Sequence, residues 1–210
     1  SEFVAVTDWE SMRLIFNPGV AEEGAVFYFD NLTQSESTVD PCEGTVAIGN
    51  MIDDFECQRN HAYLDGAEHI SVVGNPLVNL TNSSTLSGLY KDQPNEPWSA
   101  LCYDFSDGAD LNAFNQLTFQ VLSQAAVPIL MKLEGGTSDP AEIWTAVTTP
   151  GVWETLSVDF SNKVGGDYKK VCIFFNAGVE TTTVDDYYID NVQFAHAPFT
   201  GCLINFDDVA

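Results

Sequence analysis

The sequence predicts an all-β sandwich, on three observations. Between Asn50 and Phe194, short β-branched and aromatic runs are punctuated by Gly, Pro, Asn and Asp clusters, the rhythm of strands and turns in a sandwich. Stretches of helical period are scarce. The same strand pattern recurs near both ends of the chain, at a spacing the size of a domain.

Taken in order, the runs predict strands over 51–57, 69–73, 86–91, 98–105, 116–122, 127–134, 143–148, 153–160, 169–176 and 186–194. Alternation assigns their faces. Ile129, Met131 and Leu133 should face the core while Lys132 and Glu134 face out. In the next hairpin, Leu156, Val158 and Phe160 should point in, and Thr155, Ser157 and Asp159 out.

The repeat is read residue by residue. "DWESMRLIFNPGV" from Asp8 aligns with "DYKKVCIFFNAGV" from Asp167 at an offset of 159, placing Asn17 on Asn176. After one gap the offset becomes 160, and Asp30, Asn31 and Cys42 fall on Asp190, Asn191 and Cys202. "NMIDDFE" (Asn50 to Glu56) likewise resembles "INFDDVA" (Ile204 to Ala210). The expected organisation is therefore the C-terminal strands of a preceding module plus a linker at 1–45, a complete module at 46–196, and the first strand of a following module at 197–210. Strands of a part-module need partners, so neighbouring copies are expected to complete both ends, Asp30 meeting Asp207 or Asp208 as Asp190 meets Asp54.

Composition sets the partners. The 210 residues include 31 acids and seven Lys or Arg, a formal charge of -24, and that field repels phosphate backbones and anionic membranes. Nucleic acid is excluded as a partner on this ground. The chain has no apolar run of about 18 residues, so membrane insertion by a helix is not expected. Cys42, Cys57, Cys102, Cys172 and Cys202 show no C-x-x-C spacing, which disfavours zinc and thiol-redox chemistry. Cys102 and Cys172 lie on the face opposite the apolar positions of their strands, where a disulfide forms if those strands are neighbours. Cys42 and Cys202 are repeat-equivalent and suit a module junction; each could instead bond Cys57 or stay free.

The order "IDDFE", "SVVGNP", "LSGLYK", "WSALCYDF", "PILMKLEGG", "WTAVTTPGVWETLSVDFS", "YKKVCIFFNAG", "YYIDNVQF" resembles the galactose-binding-like jelly-roll modules of secreted and surface proteins of Bacteroidetes-type bacteria. The resemblance covers about 145 of the 210 residues. It implies a carbohydrate-binding-module type of β-sandwich, frequently with a structural calcium ion, attached to glycanases or strung along adhesins.

Catalytic fingerprints are absent: no nucleophile elbow, H-E-x-x-H, P-loop or dinucleotide-binding motif occurs. His61, His69 and His196 stand beside no Ser or Cys nucleophile, and among so many acids a coincidental carboxylate pair is no sign of a glycosidase. The chain is thus expected not to be an enzyme. If the first and last strands pair as the resemblance suggests, Asp54, Glu56 and Asp190 are the candidate ligands of a structural Ca2+. Sugar recognition relies on exposed aromatic faces with polar groups beside them; Trp98 and Trp144, with Tyr90, Lys132 and Glu134, are the candidates. Trp153, at the start of "WETLSVDF", is expected to pack on the sandwich edge. Two functions follow as expectations: a non-catalytic, extracellular or cell-surface tandem-repeat module building an adhesin or filament, with neighbouring copies and possible polysaccharide as partners, or a carbohydrate-binding accessory module of a secreted polysaccharide-degrading enzyme.

Overall fold

The computed structural model describes Val26 and residues 42–196. Of the expected part-module and linker at 1–45 only Val26 and residues 42–45 are described, and the part-module expected at 197–210, with Cys202, lies outside the described residues. Eleven strands follow in order: β1 Met51–Asp53, β2 Tyr63–Asp65, β3 Ile70–Gly74, β4 Leu86–Asp92, β5 Leu101–Asp104, β6 Gln116–Ser123, β7 Pro128–Glu134, β8 Ala141–Ala146, β9 Trp153–Asp159, β10 Lys170–Phe175 and β11 Asp185–Ala195. One turn of 3-10 helix at Ser161–Lys163 is the only helical element among them. No described helix is long and apolar enough to cross a membrane.

The strands form two antiparallel sheets of a jelly-roll sandwich. Sheet A runs β3-β4-β11-β6-β9, with β1 on the far half of β11; sheet B runs β2-β5-β10-β7-β8. The long β11 holds sheet A together because β4 pairs with its first half and β1 with its second. Between the halves the register slips at a bulge from Asp190 to Gln193, where Asn191 takes φ 51°. An extra residue in one strand bends it and re-aims its side chains. Here it turns the carboxyl end of β11 toward β1.

The alternation read from β7 and β9 is met. Ile129, Met131, Leu133, Leu156, Val158 and Phe160 are buried, and Thr155, Ser157 and Asp159 are exposed. Between the sheets the core is aromatic-rich: Phe175 stacks on Tyr90 at 4.9 Å and on Tyr187 at 5.2 Å, and meets Phe119 edge-on at 6.4 Å. Such offset and edge-on pairs add to simple burial. Removing a ring like that of Phe175 costs about 3–5 kcal/mol.

Three departures from the sequence reading have a local reason. The first strand stops at Asp53 instead of 57 because Asp53 and Asp54 turn the chain: the Phe55 amide donates to Asp53, and the Glu56 and Gln58 amides to Asp54, all at 2.8 Å. Phe55 takes φ 58° in that turn. Strand β5 begins at Leu101 instead of 98, since the Ser99 amide is already spent on the Glu96 carbonyl. Strand β2, three residues ending before Gly66, is too short to leave a periodic signal; its neighbour Gly66 has φ 75° and no room for a Cβ against the Ala100 carbonyl.

Candidate functional site

The outer faces of the two sheets are built differently. On sheet A, the loop over residues 75–85 is tied to outward side chains. Asn82 donates to Asp190 at 2.7 Å, Gln120 donates to the Thr81 carbonyl at 2.6 Å, and the Trp153 indole donates to Asn75 at 3.2 Å. The loop is stiffened from within, since Asn75 donates to Asn82 and Asn79 accepts from the amides of Thr81 and Asn82. Asn residues suit this work because one side chain both donates and accepts. Asp190 and Asn82 are consequently buried.

On sheet B the outer face stays open. Its floor is the cross-strand pair Cys102 and Cys172, directly opposed in the β5–β10 register and joined as a disulfide. Both sulfurs are buried beneath flanking side chains. Beside them runs a ribbon of charge: Lys132 Nζ lies 2.9 Å from Glu134 and 3.2 Å from Glu142, while Lys170 bonds Asp65 and lies 3.4 Å from Glu134. The bond to Glu134 holds the Lys132 ammonium above its usual range. Partial burial works against the Glu134 carboxylate, but Lys132 and Lys170 outweigh it and hold the group below its usual range. Each lysine is thus neutralised by two carboxylates.

Over this ribbon opens a groove of about 490 Å³ whose walls include Asp65, Glu68, Glu96, Trp98, Ser99 and Phe174. Trp98 is 57% exposed and Trp144 51%. Their ring centroids are 6.4 Å apart and the planes stand at 77°. Trp144 comes from β8, opposite Leu130 of β7. Trp98 comes from the loop after β4, and its position depends on the loop after β10: the Gly178 amide donates to the Pro97 carbonyl at 2.7 Å, and a Cβ on Gly178 would lie 3.0 Å from the indole. Gly178, at φ 76°, suits a backbone that L side chains rarely adopt. It is the glycine of "NAGV", the signature that the repeat shares with "NPGV" near the start of the chain.

Four of the five sugar-site candidates, Trp98, Trp144, Lys132 and Glu134, therefore stand on one face. Tyr90 does not. It is 0% exposed, stacked in the core with its hydroxyl 2.5 Å from Ser99 Oγ, because its position in β4 faces Phe175. Burial, with the charges of Asp92, Glu96 and Glu68, raises that hydroxyl to about 12. Sequence reasoning missed Asp65, Glu96, Glu142, Lys170 and Phe174. Lys170 and Phe174 flank Cys172 at spacing two and were legible from that cysteine's face; Asp65 was not, since its strand left no pattern.

The three calcium candidates are not brought together as a set. β1 does pair with β11, yet Asp54 spends its carboxylate on its own turn. Glu56 accepts from Thr85 and Leu86 at the end of the sheet A loop, and it acts electrostatically on Asp190, whose pKa burial raises to about 6. Among the described residues no three His, Cys, Asp or Glu side chains form a metal-holding group. Cys42 is disulfide-bonded to Cys57. Trp153 is buried at the sandwich edge. His61 stacks on Phe105 at 3.8 Å and His196 packs on Phe114 at 4.7 Å, both away from the groove, while His69 lines the groove 3.5 Å from Glu68.

Comparison with known proteins agrees on architecture. An exo-β-agarase structure superposes with TM-score 0.53 at 10% identity over 71% of this chain, which spans 25% of the agarase. A family 11 carbohydrate-binding module from Clostridium thermocellum, in complex with a β-1,3-1,4-mixed-linked tetrasaccharide, gives TM-score 0.46 at 16% identity over 70% of this chain and 95% of that one. A family 61 carbohydrate-binding module in complex with β-1,4-galactotriose gives 0.44 at 15% identity, over 66% of this chain and 90% of the other. At such identities the likeness is one of fold. No protein-family model and no curated protein sequence matches the chain.

Proposed function

We propose that this chain is a non-catalytic glycan-binding module of an extracellular or cell-surface protein, one unit of a tandem array that builds an adhesin or fibre. The observation that supports binding is the pair of half-exposed tryptophans on the outer face of sheet B, one of them in the wall of a polar groove. Exposed aromatic faces stack on the apolar faces of sugar rings, and groups such as Glu134, Asp65 and Ser99 bond hydroxyls. Affinity electrophoresis through gels containing soluble polysaccharides tests this. Retardation by at least one glycan is expected, weakened at least about tenfold in Trp98→Ala; no retardation by any glycan would remove the reading.

The array rests on the repeat and its shared "N-x-G-V" signature. A second reading, an accessory module of a secreted polysaccharide-degrading enzyme, uses the same groove. The full-length reading frame separates them: flanking copies of this module support the array, whereas a flanking catalytic domain supports the second reading. Calcium remains a proposal on Glu56 and Asp190. The support is that Glu56 acts electrostatically on Asp190; carboxylate oxygens are the ligands a hard cation takes, and one held there would link the turn after β1 to β11 and stabilise the fold by binding only the native state.

A further inference from the structure

The charge of the groove is unevenly distributed along its length. At the Lys132 and Lys170 end, each ammonium already has two carboxylate partners. At the Trp98 end the balance is reversed. Glu96 has no cationic partner among the described residues, and Glu68 has only the His69 ring at 3.5 Å. Behind them lies Asp92, 3% exposed, directly opposite Asp185 in the β4–β11 register, with an Oδ1 that no described donor reaches. Like charges opposed across a sheet destabilise it, and in front of that pair Glu68 and Glu96 carry the corner's negative charge, with no lysine or arginine paired to either among the described residues, beside an exposed indole.

An aromatic face flanked by carboxylates is the arrangement that recognises ammonium groups, through the ring quadrupole and direct charge pairing together. A neutral hydroxyl gains neither in full. An anionic sugar would meet Glu68 and Glu96 with no free lysine to receive it, because the groove's lysines are taken.

We infer that the groove takes a glycan bearing free amino groups, a glucosamine-type chain, with one ammonium placed at the Trp98, Glu68 and Glu96 corner. This inference rests on the glycan-binding reading above and adds the class of sugar. A uronate or sulfated glycan is refused.

Calorimetric titration of the whole chain at fixed ionic strength, below neutral pH so that the amines are charged, tests it. The probes are a β-1,4-linked glucosamine hexamer, its fully N-acetylated counterpart, cellohexaose, a galacturonate hexamer and a lysine hexamer. The glucosamine hexamer is expected to bind at least about tenfold tighter than the acetylated and glucose hexamers, a difference that matches about 1.4 kcal/mol, and the galacturonate hexamer weakest of all. Glu68→Gln with Glu96→Gln should erase that preference, bringing the glucosamine and glucose hexamers to within about twofold of each other in the same variant. Equal or tighter binding of the acetylated or glucose hexamer overturns the amino-sugar assignment and leaves glycan binding standing. Lysine hexamer binding as tightly as glucosamine hexamer, or glucosamine binding unchanged in Trp98→Ala, overturns it too, since the overall charge of -24 would then suffice. Failure of every sugar probe overturns the amino-sugar assignment, and the parent reading falls with it only if the polysaccharide gels also show no retardation.

Discussion

The two outer faces of this sandwich solve one problem in opposite ways. Sheet A has part of its outer face, around Asp190 and Gln120, under the 75–85 loop, whose own polar groups are tied by Asn75, Asn79 and Asn82. Sheet B leaves Lys132, Glu134, Lys170 and Phe174 partly exposed, and Glu142 and Trp144 exposed, beside the buried Cys102–Cys172 bond that joins β5 to β10. A face that its own chain covers is spoken for; a face held flat and open by a cross-link, with two indoles standing on it, is available to a ligand. The difference locates the site more firmly than any single residue does.

The comparison breaks first, and by the largest amount, at its fastenings. Replacing Cys102 and Cys172 together by Ala opens a loop with a sequence separation of 70, and chain entropy puts the loss at about 4 kcal/mol. Urea unfolding of the double variant should register that loss. On the other face, Asn82→Ala removes one of the donors to the buried Asp190 carboxylate and leaves the Asn191 amide, at a cost of about 2 kcal/mol. That variant, where folded, should bind glycan like the parent. If Asn82→Ala weakens glycan binding at unchanged fold content, the two faces are coupled and the contrast drawn here is wrong.

Much of this was legible from residues alone. Alternation in "PILMKLEGG" and "ETLSVDF" gives the right inward and outward faces, because a sheet packed on one side enforces period two. Cys102 and Cys172 were legible as a pair by the same logic. Tyr90 was misread because a tyrosine suits a core or a rim equally, and only the stack with Phe175 and Tyr187 decides. The role of Gly178 was hidden for another reason. The signature showed as a repeat, but that its glycine carries Trp98 depends on two loops 80 residues apart in sequence, and no local pattern reports a contact of that kind.

Buried acids give the next effect. Burial, aided by Asp185 and Glu96, raises Asp92 to about 6, and burial likewise raises Asp190 to about 6. An unfolded aspartate titrates near 3.9, so between about pH 4 and pH 6 the folded chain holds protons that the unfolded chain has released. Stability from these two groups is therefore present at the acid end and lost as pH rises through about 6. Each shift corresponds to about 3 kcal/mol, and Asp92→Asn, which keeps a buried polar group, should recover about 2 kcal/mol at pH 7. Saturating Ca2+ should flatten the Asp190 share of this slope and leave the Asp92 share intact. Unfolding curves at pH 4.5 and 7, with Ca2+ and with chelator, measure both; a slope indifferent to Ca2+ in the Asp92→Asn background eliminates the Glu56 and Asp190 cation site.

The smallest effect separates the two indoles of the open face. Trp98 sits at the groove wall and Trp144 beyond it, with their planes at 77°, so the pair cannot offer one flat platform to a crystalline surface. A single chain that turns between successive rings can use both. Trp98→Ala should then cost about 2 kcal/mol of binding and Trp144→Ala about 1 kcal/mol, within the range for buried aromatic anchors and their neighbours. Because the edge of one ring braces the face of the other, the double-mutant cycle should return a coupling of about 0.5–1 kcal/mol. A coupling near zero would mean that the indoles grip separate sugars without bracing each other. Losses of equal size in both single variants, with the double no worse than either, would instead make them one composite contact, and the groove would hold its ligand at a single point.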